Sequence, residues 1–439
     1  MSFPAGESLV MSSRRKRIRV FVLFSLAAAV RLLLDTGSGY EADVEFYMAL
    51  TWKIVRYGIH SAYLTLGGIP PSDNPPVLLY PFWFTGWLYH RFVSPTWLSH
   101  VEIFRFMLRL PSLTADLLTG ALIFSVLQRK ALSFNTSLLA ASAYLFNPAV
   151  IFDSAYWGEP SAVHTLFMLL ALIATDRRAY ICAGAALFTA VLTKPQALAI
   201  VPLIFMLAAR ERGWWRMSIA GFLTALLIVA PFLVAGNIDG VYTQYLKTAQ
   251  YHPFLSADAH NLWWLISGGH GWKSDTSPGA MIDFRTVGLF LFGCATLLSL
   301  VTVWRQREAL FLAAAYQSLA FFMVNTQIHE NHLLPMFASL VIVAALDQKV
   351  WWLYGGFAFT ALANMALHDP ALITWLGYPE REIWDGTAFA IPRLLNAATQ
   401  VALFIAFTLR LIKPLLRHLH PRPLGSRGLD ISDHGIGGI

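Results

Sequence analysis

The sequence predicts an all-α polytopic membrane protein, a bundle of about twelve transmembrane helices with long loops on one side. Of the 439 residues, 56% are hydrophobic and only 13% are charged, which is too little charge to cover a soluble domain of this size. Apolar runs of membrane-spanning length recur along almost the whole chain. Lys and Arg, which give the net charge of +7, lie in short clusters between these runs. That distribution follows the positive-inside rule and does not indicate a nucleic-acid-binding surface.

The first predicted span, 18–34, follows the basic stretch "RRKRIR" at 14–19. Because no clear small-residue cleavage site comes after it, we expect an uncleaved signal anchor. A further apolar stretch, 76–93, is broken by proline and rich in aromatic residues, so it either crosses the membrane or lies in its interface. The other predicted spans are 103–128, 133–150, 161–175, 179–193, 196–209, 217–236, 286–304, 309–325, 332–347, 350–366 and 393–413.

Positive-inside counting predicts the orientation. The basic clusters can all face the cytoplasm if 76–93 does not cross, or crosses only as a re-entrant pair with its neighbour. Both termini are then cytoplasmic, and the membrane is expected to be a bacterial cytoplasmic (inner) membrane. The two longest outer loops, 35–102 and 237–285, are too apolar and aromatic to be disordered, so we expect juxtamembrane helices in them. Residues 1–413 then form one transmembrane domain, and 414–439 form a basic, disordered tail.

Polar and ionisable side chains collect in the predicted outer loops, at the depth of the lipid headgroups. Each group also has a simpler interpretation, because a carboxylate at a helix exit is usually just solvated, and His329 and Glu330 could satisfy each other. The convergence of several separate loops on one face favours a shared site. The groups are Glu41, Asp43 and Glu45; Asp73; Asp153, Tyr156, Trp157 and Glu159; Lys194 and Gln196; "YHPF" (251–254) and "DAHNLWW" (258–264) in the long loop; and His329, Glu330, Asn331 and His332.

Charged residues also occur inside a predicted span. Arg105, Arg109 and Asp116 are spaced by 4 and 7 residues, which puts them on one helix face. Charges in the hydrocarbon region are costly, so this face should point into the bundle. The three residues either form an internal Arg–Asp pairing or place the two arginines beside a bound lipid phosphate.

We predict neither a metal site nor cysteine chemistry. His329 and His332 are separated by one helical turn, but nothing else in the sequence fixes a set of metal ligands. The two cysteines, Cys182 and Cys294, lie within apolar segments, which is not the pattern of a disulfide framework. The chain is expected to use no cofactor.

Four motifs, in this order, resemble those of the integral-membrane GT-C glycosyltransferases, which use a polyprenyl-phosphate sugar as donor. The likeness is closest to bacterial relatives of the GPI-anchor mannosyltransferases and to the glucosyltransferases that extend the dolichol-linked oligosaccharide. It covers residues 18 to 340, and the last hundred residues carry little signature. The motifs are "DVEFY" (43–47) with "SDNPPVLLY" (72–80), "NPAVIFDSAYWGEPSAV" (147–163), "KPQ" (194–196) and "QIHENHLLP" (327–335).

The resemblance implies an essential acid in the first outer loop, which acts as base on the acceptor hydroxyl. Asp43 fits best, because the spacing Asp-x-x-x-Tyr to Tyr47 follows the bacterial form. Glu41 is the alternative, because the glucosyltransferases have Asp-aromatic-Glu-Ala where this chain reads Gly39-Tyr40-Glu41-Ala42.

The resemblance also implies which groups contact the substrates. The family's Asp-x-Pro-Pro element maps to Asp73, and its His-Glu element maps to His329 and Glu330, where the histidine approaches the donor phosphate. Asn331 stands where a basic residue often follows. The expected phosphate-binding groups are His329, Lys194, Arg105 and Arg109. The other expected substrate-binding residues are Asp73, Tyr156, Trp157, Glu159, Gln196, Glu330 and His252.

The predicted function is therefore transfer of a hexose, mannose or glucose, from a polyprenyl-phosphate sugar to a glycan, glycolipid or protein acceptor. The reaction is expected at the extracytoplasmic face, with inversion and without a metal, because one carboxylate and a few cationic groups suffice for it. Two other classes stay open. A lipid-linked glycan transporter or flippase would need inverted repeats and polar groups near the bilayer midplane. A surface-polysaccharide polymerase or ligase would use a diphosphate-linked donor.

Overall fold

A computed structural model describes residues 13–34, 39–248, 253–276, 282–379 and 387–417. Within these ranges the chain is helical, and strand-like pairing is limited to isolated β-bridges. The α-helices in chain order are α1 Ser13–Leu34, α2 Glu41–Tyr57, α3 Pro76–Phe92, α4 Val101–Arg129, α5 Phe134–Leu145, α6 Pro148–Ile151, α7 Ser161–Asp176, α8 Tyr180–Val191, α9 Val201–Arg210, α10 Trp214–Val234, α11 Ile238–Thr248, α12 Leu262–Ile266, α13 Phe284–Arg305, α14 Leu310–Val324, α15 Met336–Leu346, α16 Trp351–Ala366, α17 Pro370–Trp375 and α18 Ala390–Arg417.

Several of these helices have the length and composition of membrane spans. In the described part of the chain, α4, α10, α13 and the Ala390–Lys413 part of α18 each qualify alone. The bent pair of α5 with Pro148–Trp157 would make a fifth span. The all-helical class is confirmed, whereas about twelve crossings stays a prediction, because α7, α8 and the other apolar helices are shorter than the ~20 residues that a straight span needs.

Buried and exposed apolar surfaces divide between different helices. In α15, every residue from Met336 to Ala345 is buried, as expected for a helix that is apolar all round. By contrast, α10 and α13 expose large side chains such as Leu227 and Phe290. An exposed face of this kind is suited to contact with lipid chains.

The chain bends sharply where α5 ends. A proline at 148 disfavours helical backbone at Asn147, so the helix stops and restarts with Pro148 in its first turn. The Asn147 side chain caps the new helix by accepting from Ala149 N at 3.0 Å. A π-helical turn, Phe152–Trp157, then carries the chain to Gly158. The two segments meet at 44°, so the predicted straight span 133–150 is a broken helix.

An ion pair is buried inside the bundle. Arg31 Nε of α1 lies 3.1 Å from Asp116 Oδ2 of α4, and both side chains are fully buried. Asp116 also accepts from Ser154 Oγ at 2.6 Å and from Tyr144 Oη at 3.2 Å, while Arg31 Nη1 donates to Leu145 O at 2.8 Å. The carboxylate expected to pair with an arginine of its own helix is therefore bonded by one from α1.

The stretches predicted as long outer loops contain helices. The region 35–102 includes α2 and α3, and 237–285 includes α11 and α12. The stretch 76–93 forms the helix α3, which begins at Pro76 and contains Pro81. At the C-terminal end, α18 continues to Arg417, past the predicted start of the tail at 414.

Candidate active site

Six segments of the chain line one cavity of about 570 Å³. The predicted residues that line it are Asp43, Asp73, Trp157, Glu159, Lys194, Gln196, His329 and Glu330. The predicted residues that do not line it are Glu41, Arg105, Arg109 and Tyr156, while His252 lies outside the described residues.

Helix periodicity decides which acid of the first motif enters the cavity. Successive residues of an α-helix are rotated by about 100°, so Glu41 and Asp43 point to different sides of α2. Glu41 and Glu45 are exposed, whereas Asp43 is partly buried and lies one turn before the buried Tyr47. The cavity therefore receives Asp43 and Tyr47 from the same helix face.

Gly39 departs from the glucosyltransferase pattern, and the local geometry explains why. Its backbone is left-handed, with φ +76°, and a Cβ there would lie 2.6 Å from Arg109 Nη2 and 2.7 Å from Trp157 O. Tyr40 N donates to the same Trp157 carbonyl at 3.0 Å. An aspartate at 39 would have no room, so this close approach requires glycine.

Glu159 connects Asp43 to the rest of the site. Tyr47 Oη donates to Glu159 Oε1 at 3.0 Å, and Lys194 Nζ lies 3.9 Å from Glu159 Oε2. Asp43 and Glu159 both line the cavity, close to each other. Burial, followed by the negative charge of Glu159, raises the pKa of Asp43 well above its usual range. Asp43 therefore holds its proton more tightly than an exposed carboxyl does.

Lys194 is positioned by the "KPQ" motif. The backbone at Lys194 is extended, and Pro195 begins a short 3₁₀-helix, Pro195–Ile200. Lys194 Nζ donates to Ser161 Oγ at 3.1 Å, so the ammonium lies beside the start of α7. Lys194 and Gln196 both line the cavity.

Asp73 is held on a loop whose shape depends on a buried lysine. Lys53 Nζ donates to the carbonyls of Ala62, Leu64 and Pro70 at 3.1, 3.0 and 2.7 Å. Three carbonyl partners satisfy the three donors of an ammonium and fix the path of the chain before Asp73. Burial raises the pKa of Asp73.

His329 and Glu330 reach the cavity from the segment between α14 and α15. His329 Nδ1 lies 4.0 Å from Glu330 Oε2, which is the outer limit of an ion pair. Burial, followed by the charge of Asp258, raises the pKa of Glu330 to about 8. His332 turns back to the chain, where its Nδ1 accepts from His329 N at 3.3 Å. Among the described residues, no group of three or more His, Cys, Asp or Glu is arranged to hold a metal ion.

The predicted residues outside the cavity have other positions. Tyr156 Oη donates to Asp369 Oδ1 at 3.4 Å, and Trp157 Nε1 donates to Asp369 Oδ2 at 2.6 Å. Asp369 thus anchors the π-helical turn, a role for which the sequence gives no motif. Arg109 is buried beneath Gly158, where a Cβ would lie 2.8 Å from its Nε. Arg105 is partly buried on the same helix.

Several other residues line the cavity without a role predicted from the sequence, among them Tyr40, Phe46, Asp258 and Trp272. Tyr40 packs edge-on against Trp157, with ring centroids 5.4 Å apart. Asp258 begins the polar and aromatic stretch 258–264 of the long loop, whereas Trp272 lies in no recognisable motif. Both lie in the segment 253–276, which is hydrogen-bonded to the motif that contributes His329, since Ala257 N donates to Ile328 O at 3.0 Å.

Comparison with known proteins gives a likeness to solved structures but none to curated proteins or family models. Among solved structures, the crystal structure of ArnT from Cupriavidus metallidurans in the apo state is similar, with a TM-score of 0.47 and 14% identity. The similarity covers 89% of this chain and 76% of that chain. A likeness at this level transfers no residue role from that protein to this one.

Proposed function

We propose that this chain is a membrane glycosyltransferase of the GT-C type, which transfers a hexose from a polyprenyl-phosphate sugar to an acceptor hydroxyl. One cavity carries the proposal, because separate segments bring two neighbouring carboxyls, Asp43 and Glu159, together with an ammonium and an imidazole into it. These are the groups that such a transfer needs: a base for the acceptor proton, and donors for the departing phosphate.

The transfer is a single displacement. The acceptor oxygen forms a bond to the anomeric carbon while the bond from that carbon to the phosphate oxygen breaks, and its electron pair leaves with the phosphate. Asp43 takes the acceptor's proton. Lys194 and His329 stabilise the phosphate as its charge grows. One displacement inverts the anomeric configuration, and a phosphate with these partners needs no divalent metal.

The position of Asp43 supports it as the base over Glu41, which is exposed on another side of α2. Its partner Glu159 is held from two directions, by Tyr47 and by Lys194. Arg105 and Arg109 do not line the cavity, so they would contribute positive charge from behind the lining residues.

An acidic cavity must still admit an anionic donor. The carboxyls Asp43, Asp73, Glu159, Asp258 and Glu330 all line it. Burial raises the pKa of Asp43, Asp73 and Glu330, so the cavity carries less negative charge than five exposed carboxylates would give. The phosphate would lie on the side of the cavity where Lys194 projects.

The proposed setting is a bacterial cytoplasmic membrane, with both termini in the cytoplasm and the cavity on the outer side. The basic clusters support this orientation. The acceptor would be a glycan, a glycolipid or a protein, and the donor sugar mannose or glucose. The folded loop over the cavity would exclude water, which would otherwise hydrolyse the donor.

A donor panel tests the proposal. Purified protein in lipid nanodiscs is incubated with radiolabelled hexose on polyprenyl monophosphate, on polyprenyl diphosphate or on a nucleotide, and release of the carrier is measured. We expect cleavage of the monophosphate donor alone, at a rate that EDTA does not change. Cleavage of the diphosphate donor alone would identify a polymerase or ligase. Movement of an intact lipid-linked glycan across a vesicle membrane, without cleavage, would identify a flippase.

A further inference from the structure

The loop that covers the cavity presents one acid and one aromatic side chain to it. Asp258 and Trp272 both line the cavity, and Trp272 Nε1 donates to Asp258 Oδ1 at 2.8 Å. Trp272 is only partly buried, and its ring packs against Phe254 with centroids 5.1 Å apart. The indole is therefore fixed in place while part of its surface stays open to the cavity.

Asp258 is held in a conformation that an ordinary loop residue avoids. Its φ is +62°, in the left-handed region, and its side chain is 13% exposed. Non-glycine residues in this region are strained unless their surroundings hold them, and such residues concentrate at functional sites. The loop here is fixed from α16, since Asn364 Nδ2 donates to Asp258 O at 2.7 Å and Asn364 Oδ1 accepts from His260 N at 2.8 Å.

Two buried histidines, His368 and then His260, lie in a row that leads from Asp258 into the bundle. His368 Nδ1 lies 3.3 Å from Asp258 Oδ1, although its N–H is not well aligned with the carboxylate. His368 Nε2 and His260 Nε2 are 3.1 Å apart, and His260 Nδ1 lies 2.8 Å from Asn396 Nδ2 of α18. Burial lowers the pKa of both histidines well below the usual range, so both are neutral.

The donors and acceptors in the row Asn396, His260 and His368 can be assigned from Asn396. Asn396 Nδ2 also donates to Thr360 O at 2.9 Å, and a carbonyl only accepts, so the Asn396 amide nitrogen is the donor to His260 Nδ1. His260 must then carry its proton on Nε2 and donate to His368 Nε2. This leaves the His368 proton on Nδ1, which faces Asp258. The two side chains that approach the Asp258 carboxylate, His368 and Trp272, both do so at Oδ1.

We propose that Trp272 and Asp258 form the subsite for the acceptor, and that the acceptor group bound there is a pyranose ring of a glycan or glycolipid. The inference rests on the proposed glycosyltransferase function. The C–H face of a pyranose packs on an indole, whose face is electron-rich, while a sugar hydroxyl donates to Asp258 Oδ2. An uncharged polyhydroxylated ligand suits this wall, because the carboxylate of Asp258 would repel an anionic group. His368 and His260 are positioning residues.

Steady-state kinetics with a saturating donor test the subsite, using methyl hexopyranosides, a glycolipid and a serine-containing peptide as acceptors. We expect Trp272→Ala to raise the acceptor KM about tenfold, the effect of losing roughly 1.4 kcal/mol, and Trp272→Phe to raise it less. Asp258→Asn should also raise it about tenfold, and asparagine tolerates the left-handed backbone, so the fold is kept. His368→Gln should raise the acceptor KM with kcat nearly unchanged.

The donor KM should stay within about twofold in all four variants, because none of these side chains is among those proposed to bind the donor phosphate. The exposed Trp375→Ala is the matched control and should change nothing. Equal effects on donor and acceptor KM, or wild-type transfer to the peptide but not to sugars, would overturn the subsite.

A binding measurement separates this inference from the proposed function. Saturation-transfer NMR reports whether methyl hexopyranosides contact the protein without any turnover. Wild-type protein should give a signal that Trp272→Ala loses, even with no donor present. A wild-type signal unchanged by Trp272→Ala, or no wild-type signal, contradicts the subsite, whereas failure of every donor in the panel contradicts the glycosyltransferase function.

Discussion

Replacing Asp43 with asparagine is expected to reduce sugar transfer from a polyprenyl-monophosphate donor by about 10²–10⁴-fold, the usual effect of removing a general base. Asparagine has nearly the same shape, but it cannot take the acceptor's proton. The loss should appear in kcat, with the donor KM little changed. The measurement is radiolabel transfer by purified protein in nanodiscs.

The same substitution should stabilise the protein. Burial and Glu159 raise the pKa of Asp43 in the folded state, so ionising this carboxyl disfavours folding. That cost is absent below the ordinary carboxyl pKa, near ~4, and grows as pH rises toward the raised value. The Tm of Asp43→Asn should therefore exceed that of wild type by more at pH 8 than at pH 5, which also excludes misfolding as the cause of lost activity.

Two further variants locate the base. Glu45→Gln, on an exposed position of the same helix, is the matched control and should keep wild-type transfer. Glu159→Gln removes the charge that raises the pKa of Asp43, so the rising limb of its pH–rate profile should move to lower pH. Wild-type turnover by Asp43→Asn would assign the base to Glu41, if Glu41→Gln is inactive, or would dismiss this mechanism.

Replacing Arg31 with methionine is expected to lower the free energy of unfolding by roughly 3–5 kcal/mol, because it leaves a buried carboxylate without its cation. Arg31 and Asp116 are both fully buried, and the arginine also donates to the carbonyl of Leu145, the last residue of α5 before the bend. Thermal or denaturant unfolding in detergent measures the loss.

Two controls separate the ion pair from general effects on α1. Arg17→Met removes an exposed arginine of the same helix and should cost little. The double variant Arg31→Met/Asp116→Leu removes both charges and should recover most of the stability. Equal stabilities of Arg31→Met and wild type would mean that the pair contributes nothing to the bundle.

Local patterns predicted part of this molecule well. Apolar runs predicted the helical class, and helix periodicity places Asp43 and Tyr47 together once the start of α2 is known. The break between α5 and α6 follows from the pair Asn147-Pro148. This pair lies inside an apolar run long enough for one span, so the run predicts a continuous helix there. The number of crossings could not be fixed, because several helices are shorter than the runs that predicted them.

Pairings between distant segments could not be predicted. Asp116 was matched to arginines of its own helix because a single sequence shows only local spacing, whereas its partner is 85 positions away. The link from His260 to His368 spans 108 positions, and it involves the last hundred residues, which carry no recognisable motif. Those residues brace the loop that contributes Asp258 and Trp272. Their contribution depends on tertiary packing alone.

One cavity should hold both the donor phosphate and the base. A structure of the Asp43→Asn variant with a short-chain prenyl-monophosphate hexose tests it directly. We predict the phosphate within about 4 Å of Lys194 Nζ, with His329 beside it and the anomeric carbon facing residue 43. A second cavity, of about 450 Å³, lies at the other end of α7, roughly 24 Å away, and is lined by Arg129, Lys130 and Arg177. A phosphate bound only there would contradict the account.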